Sequence, residues 1–594
     1  MNVFRRRFEP SFNVPDRAIA AALSVALILL SVWSLAPSLG SSQDSVEPTP
    51  FPAAGRAYVE GVLGMATNAS PFGARTAADR SLVALLFRGL VRLGPGNTIA
   101  GDLASRWDVD DDGQTWTFHL RPDQHWQDGE PITADDVVFT IDVLGDPTFT
   151  GPGAESWREV EATAVDPLTV SLRLSTPLGG FLQAATQPIA PAHLLAGVPV
   201  EDLADDPFGL HPVGSGPYRL LVLGADRATL VAVPPSEQFI DLGDTGDGPV
   251  FERPRPTDSL ATSPPTPKPD VAVPYIQRIE FRYFHDLQSL AAAWSAGQLD
   301  AVSGFQPEDL ASLEAAAPAG EFRVVRYPSS TLLAAALDLR AARQEFQDPA
   351  VRRALLESIN RDVLVRDVLA GLGTRADSLI PPSSPMFDPS KSPVVPFDRA
   401  AARKALADAG WKEGEISWTP KNADKPIVIE LLSPEESANP VAYGVAERVV
   451  DAWQSLGLSV RHIPLPGSEL IGERLSQGNF QVAVIPLAIG LDPDLYPLLA
   501  SSQTRTGGSN VVGLQDPALD KLLLAARTPV SEEERATAYA ALQERLAARM
   551  YLLPLAFRDE AVLFRDTVVG PTSRPVSGSW DRWWDVLTWR LADG

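Results

Sequence analysis

Residues 107–144 read WDVDDDGQTWTFHLRPDQHWQDGEPITADDVVFTIDVL, and three local structures follow one another there without conflict. Asp112-Gly113 is a turn pair suited to positive φ. After it, Trp116, Phe118 and Leu120 alternate with Thr115, Thr117, His119 and Arg121, the period of a half-buried strand. Asp128-Gly129 turns the chain again. Thr133, with Asp136 three residues on, makes a capping-box pattern, and Val137, Val138, Ile141 and Leu144 then recur at helical spacing. Local physics therefore predicts a strand leading through a turn into an amphipathic helix.

Other blocks follow along the chain. Residues 212–218, PVGSGPY, place glycines where the backbone must turn and a proline before a strand. Residues 348–361, DPAVRRALLESINR, begin with an N-cap aspartate and a proline suited to the first helical position; Val351, Leu355 and Ile359 form the buried stripe. Residues 371–381 follow the pattern G-x-G-x-x-A-x-S-x-I-P, residues 531–546 read as a capped helix, and residues 582–589 read RWWDVLTW. Residues 276–284 read as a strand, followed by a helix carrying Leu287, Leu290, Ala291 and Trp294 and ending near Gly297. Short β-branched runs at 428–432 and 482–485 suit buried strands, and a helix over 398–409 is capped by Asp398 and stopped by Gly410. Mixed strands and helices with short connections argue for open α/β sheets, whose crevices lie at the strands' carboxyl ends.

The order of these blocks resembles that of the extracytoplasmic solute-binding proteins of the peptide and nickel ABC importer class. In that family a D-G-x-T-[YW]-T-F-x-L-R strand leads to a W/F-x-D-G-x-P-[FIV]-T-A-x-D-V-x-F-[ST] helix start, and the other blocks have counterparts from about residue 57 to about 590. The resemblance implies an α/β, two-lobed periplasmic-binding-protein fold, type II-like, with an additional domain inserted in the first lobe. On that pattern lobe one takes residues 57–92, 206–338 and 568–594, the inserted domain 93–205, and lobe two 339–567, with hinge crossings near Leu337 and Val568.

Composition narrows the chemistry. The 594 residues suffice for several cores, since single cores stop growing at roughly 250–300 residues. A net charge of −25 argues against nucleic acid as a partner, because phosphate neutralisation needs clustered Lys and Arg. The chain has no cysteine, which excludes disulfides, thiol catalysis, zinc-thiolate sites and a lipid tether through cysteine. Residues 18–35 are uncharged and mostly apolar, at the lower limit for a spanning helix, and Arg5, Arg6, Arg7 and Arg17 precede them. We read 1–17 as a cytoplasmic N-terminus and 18–38 as a transmembrane signal-anchor, favoured over a signal peptide cleaved near 36–40, where no clean A-x-A site exists. A flexible linker over 39–56 follows. The protein is thus placed on the extracytoplasmic face of the membrane, or is secreted or periplasmic if the segment is cleaved. A Pro-rich acidic insert over 234–270 replaces an N-P-x-Y-W motif of relatives and reads as a surface loop or disorder.

No G-x-S-x-G elbow, H-E-x-x-H, phosphate-cradling loop or dinucleotide fingerprint is present, and the six histidines are scattered; binding without chemistry, without metal or cofactor, is the economical reading. Residues 484–496, VIPLAIGLDPDLY, resemble the family's cleft segment and bring Leu487, Ile489, Asp492 and Asp494 forward as site candidates. In peptide-binding relatives an aspartate three residues before the acidic residue of that segment pairs with the peptide's amino group. Counting back from Asp492 gives Ile489, so that anchor is missing unless another acid such as Asp494 serves. The loop with Asn68, Ser70 and Phe72 is a second candidate wall, a capped turn with a core phenylalanine being its plainer reading; Gln183, Thr186 and Gln187 fall in a segment that borders the cleft in relatives. Trp580, Trp583, Trp584 and Trp589 read as core packing. The resemblance implies a monomeric receptor that captures a peptide or peptide-like solute by hinge closure and delivers it to an ABC permease and ATPase. The alternatives are a transporter-independent surface binding protein, acting as a signalling receptor or peptide chaperone, and, further off, a hydrolase using a carboxylate pair.

Overall fold

The strand and helix within residues 107–145 form as their residues dictate. Trp116, Phe118 and Leu120 of the strand Thr115–Leu120 are buried in alternation. Gly113 and Gly129 take positive φ at the two turns. The helix Ala134–Gly145 starts from Thr133, whose backbone N–H donates to Asp136 at 2.9 Å, and it buries Val137, Ile141 and Leu144. The computed structural model describes residues 56–94, 98–153, 157–233, 276–505 and 507–592. The candidate anchor 18–38 and the insert 234–270 lie outside them, and among the described residues no helix is long and apolar enough to cross a membrane.

One mixed sheet runs through the molecule. Its strands follow the order Ser459–Leu465, Val428–Pro434, Val482–Ala488, Phe322–Leu337, Leu552–Arg565, Ala301–Ser303, Tyr58–Leu63, Arg278–Phe284, Arg227–Ala232 and Tyr218–Leu223, with Gly373–Arg375 pairing beside Leu552–Arg565. A separate four-stranded antiparallel sheet contains Ala104–Val109, Thr115–Leu120, Thr169–Leu174 and Val160–Asp166. Its buried face shares one apolar core with the first part of the main sheet, from Tyr58 through Trp116 to Trp589. A second core surrounds Leu332–Leu337, Val482, Val484, Trp453 and Leu552–Phe557. The fold is therefore α/β and two-lobed.

The two longest strands join these cores. Phe322–Leu337 and Leu552–Arg565 pair antiparallel along nearly their whole length, with two register shifts: a larger one between Pro328, opposite Asp559, and Leu332, opposite Phe557, and a single-residue one between Leu333, opposite Ala556, and Ala334, opposite Pro554. Ser329, Ser330 and Thr331 thus stand against Arg558 alone, an irregularity of the kind that bends a strand. Core membership changes at this point: Tyr327 and Val562 belong to the first core, Leu332 and Phe557 to the second. This change of core lies several residues before Leu337 and Val568, near which the sequence reading places the hinge crossings. Both strands are polar at this point, with Ser329, Ser330 and Thr331 on one and Arg558, Asp559 and Glu560 on the other.

The C-terminal segment is tied into the first core by charge. Glu60 is fully buried and accepts hydrogen bonds from Tyr58 Oη at 2.7 Å, Ser303 Oγ at 2.5 Å and Arg582 at 2.6 Å. Burial, and then the nearby carboxylate, push the Tyr58 hydroxyl well above its ordinary pKa. Trp583 and Trp589 pack on Tyr58 edge-to-face, so these two tryptophans are core, while Trp580 lies under Arg80 and Trp584 under Arg574.

At the bend, burial raises the Asp559 carboxyl from 3.8 to about 6; Arg326 opposes the shift and Glu560 adds to it. The folded state therefore holds this proton more tightly than the unfolded chain, and stability falls as pH rises from 3.8 to about 6. Asp559→Asn should remove that component and leave the variant more stable than the parent at pH 7, with the difference vanishing below pH 4, as read by denaturant midpoints across pH. Parallel pH profiles for the two proteins would contradict it.

Candidate functional site

Tyr58–Leu63 pairs parallel with both Arg278–Phe284 and Ala301–Ser303, so the carboxyl ends of three strands meet on one side, where open α/β sheets place their crevices. A half-open pocket lies there. It is lined by Val62, Tyr283, Ser303 and Gly304 from the strand ends, Ala77, Ala78 and Ser81 from the helix Ala77–Leu86, and Ser579 and Arg582 from the C-terminal segment. Its volume, about 30 Å³, is that of one water, against the roughly 300–1,000 Å³ of a pocket for a drug-sized ligand.

The same C-terminal segment leads to the strand bend. Val576 N–H donates to Pro328 O at 2.9 Å and accepts, through its carbonyl, the N–H of Ser330 at 3.2 Å; Ser330 O in turn accepts the N–H of Ile489 at 3.2 Å. Consecutive hydrogen bonds therefore link Val576, the register shift and Ile489 just past the strand Val482–Ala488, and from Val576 the chain runs on to Ser579 and Arg582 at the pocket. Pro486 and Ala488 are exposed on that strand and Leu487 is half-buried, while Ile489 turns into the second core.

The structure engages most of the polar candidates elsewhere. Asp79, buried at the start of the helix Ala77–Leu86, accepts the backbone N–H groups of Thr67, Asn68, Arg75 and Thr76 and so shapes the loop between them. Within that loop Asn68 donates to Ala204 O and accepts from Ser70 N, Ser70 Oγ accepts from Phe72 N, and Phe72 is fully buried against Phe139 and Phe149. These three build the turn rather than present a wall. Thr186 Oγ1 bonds Gln183 O and Gln187 bonds Pro188 O within their own segment. Gln183 follows the short helix start at Phe181 and is half-buried.

Asp492 and Asp494 are each paired. Arg535 grips Asp492 with both terminal nitrogens, one at 2.7 Å, and Tyr539 donates to the carbonyl of Pro493 between the two acids. Arg527 lies 3.2 Å from Asp494 and over the ring of Tyr496. Burial pushes the Asp494 carboxyl up, with Arg527 pulling it down. Each acid thus already faces an arginine.

These pairs instead underlie a contact between the two cores. Gly179 N–H donates to Arg527 O at 2.9 Å, and Val530 packs among first-core residues. A Cβ on Gly179 would lie 1.8 Å from Pro529 O, and one on Gly180 would lie 2.6 Å from the Asp492 carboxylate. Only glycine lets the turn approach so closely. No local pattern marks this contact, or Ser303, Tyr283 and Arg582 at the pocket, because their partners are distant along the chain. The Ser303-Gly304 pair after a strand is the one local hint.

A family model for bacterial extracellular solute-binding proteins, family 5 Middle, matches residues 98–510. The glutathione-binding protein GsiB of Salmonella typhimurium is 24% identical over 552 residues, covering 92% of this chain and 96% of the relative. Among solved structures, the oligopeptide-binding protein AppA of Bacillus subtilis, in complex with a nonapeptide, matches with a TM-score of 0.66 at 20% identity, covering 90% of this chain and 99% of the other. NikZ of Campylobacter jejuni, in complex with Ni(L-His), matches with a TM-score of 0.65 at 20% identity, covering 90% and 99%. At these identities the structural matches speak for the fold.

The close approach at Gly179 is testable. Gly179→Ala should lift the turn from the loop after Arg527, and hydrogen exchange should speed up at residues 177–183 and 527–531 while the paired strand Leu552–Phe557 stays protected. Unchanged protection at both segments would contradict the contact.

Proposed function

Because the chain belongs to the bacterial extracellular solute-binding proteins of family 5, we propose that it captures a peptide-like solute between its two lobes and passes it to an ABC permease and ATPase. The observation that carries this reading is the exposed end of the strand Val482–Ala488, at Pro486 and Ala488, whose next residue Ile489 is hydrogen-bonded to Ser330 and through it to Val576, in the segment that leads to the pocket at the ends of the first-lobe strands. Such an edge and pocket recognise an extended molecule with amide groups, the main chain giving affinity and the pocket selecting an end group. The relative named for glutathione, a γ-linked tripeptide, and the neighbour solved with a nonapeptide support a peptide-like class. Retention by an N-terminal anchor on the extracytoplasmic face, and action as a monomer, belong to the same proposal.

The ligand's amino group is not anchored as in peptide-binding relatives. Ile489 occupies that position, and Asp492 and Asp494 are held by Arg535 and Arg527. A buried ammonium without a partner is costly, so a free N-terminus gains nothing here. Mass spectrometry of the native protein under gentle conditions should identify a small amide-containing solute that co-purifies with it. Calorimetry should then find that N-acetylating a tripeptide changes its affinity by less than about threefold, the scale of a rim contact. Binding abolished by acetylation would show that an acid still receives the amine.

A further inference from the structure

The strand Val482–Ala488 has two edges, and they are unequally covered. Toward Phe322–Leu337 it pairs without a register shift from Val482, opposite Leu337, to Ala488, opposite Thr331. Toward Val428–Pro434 it pairs only through Val482 and Ala483. Beyond them, among the described residues, no strand covers that side of Pro486 and Ala488.

The phase of the ladder tells which main-chain groups face the open side. Ile489 N–H donates to Ser330 O, which continues the same register by one residue. In an antiparallel pair, hydrogen-bonded and non-bonded residues alternate, so Leu487 and Ile485 also turn their main-chain groups toward Phe322–Leu337. Pro486 and Ala488 therefore turn theirs outward, and both are exposed. Proline has no N–H. The open edge thus offers the carbonyl of Pro486 and both groups of Ala488, with a donor missing where the first of them would stand.

We infer that Pro486 is a specificity-determining residue of the solute site, a statement that rests on the function proposed above. An α-linked peptide added as a strand brings alternating N–H and C=O groups to the edge at a fixed spacing. Its carbonyl beside the Pro486 ring finds no donor and is left unsatisfied in the closed cleft. A solute whose amides are spaced differently, such as a γ-linked peptide, or one that brings only a donor to the Pro486 carbonyl, meets no such penalty. The favoured class is a peptide-like solute without a continuous α-peptide backbone along this edge.

The test is calorimetry of trialanine against the parent and Pro486→Ala, each first shown to melt at the same temperature; the exposed position makes the exchange mild for the fold. Restoring the N–H should tighten trialanine binding about tenfold, the worth of one satisfied buried group. Equal affinity for the two proteins, including no binding by either, overturns the inference, as does weaker binding by the variant. Closure of the lobes by the co-purified solute is measured alongside. If closure persists while the Pro486 comparison fails, only the specificity assignment falls; if closure fails too, the solute-capture reading falls with it.

Discussion

The antiparallel pairing of Phe322–Leu337 with Leu552–Arg565 is the constraint on which the rest of the structure depends. Two strands are the least covalent connection that holds two lobes in a common sheet. They resist shear through their ladder yet bend where the ladder is broken. The break at Ser329–Thr331 is short, and it is supported from outside by Val576 and from the next strand by Ile489. A bend supported on two sides favours rotation over slippage, which is what hinge closure of rigid lobes requires. Each lobe keeps its own apolar core, so closure need not disturb the packing of either.

Charge is used to hold geometry and is largely consumed in doing so. Glu60, at the centre of the first lobe, is satisfied by Tyr58, Ser303 and Arg582, and removing any one would leave a buried polar group exposed to a penalty. Asp492 and Asp494 do the same beneath the Gly179-Gly180 turn. The chain carries a net charge of −25, and Asp492 and Asp494 each face an arginine.

What was legible in the sequence was whatever local chemistry determines. The capping box at Thr133, the N-cap at Asp348, the alternation at Trp116, Phe118 and Leu120, and the stop at Gly410 all stand where their residues predict. The family order of blocks led to the two-lobed fold. The site was less legible because its determinants are partners far apart in the chain. Arg535 lies 43 residues from Asp492, and Arg582 lies 522 residues from Glu60. Asn68 and Ser70 looked like free polar groups, and only the fold shows Ala204 and the loop's own backbone taking them up. Pro486 is visible in any reading of the sequence, but its meaning depends on the ladder phase, which no single strand reveals.

The central claim is that the two lobes close on a solute around the bend at Ser329–Thr331. Small-angle scattering of the protein stripped of bound solute, then titrated with the solute that co-purifies with it, tests this most directly. A smaller radius of gyration at saturation is the expected result. An unchanged radius with binding confirmed in the same sample would contradict it.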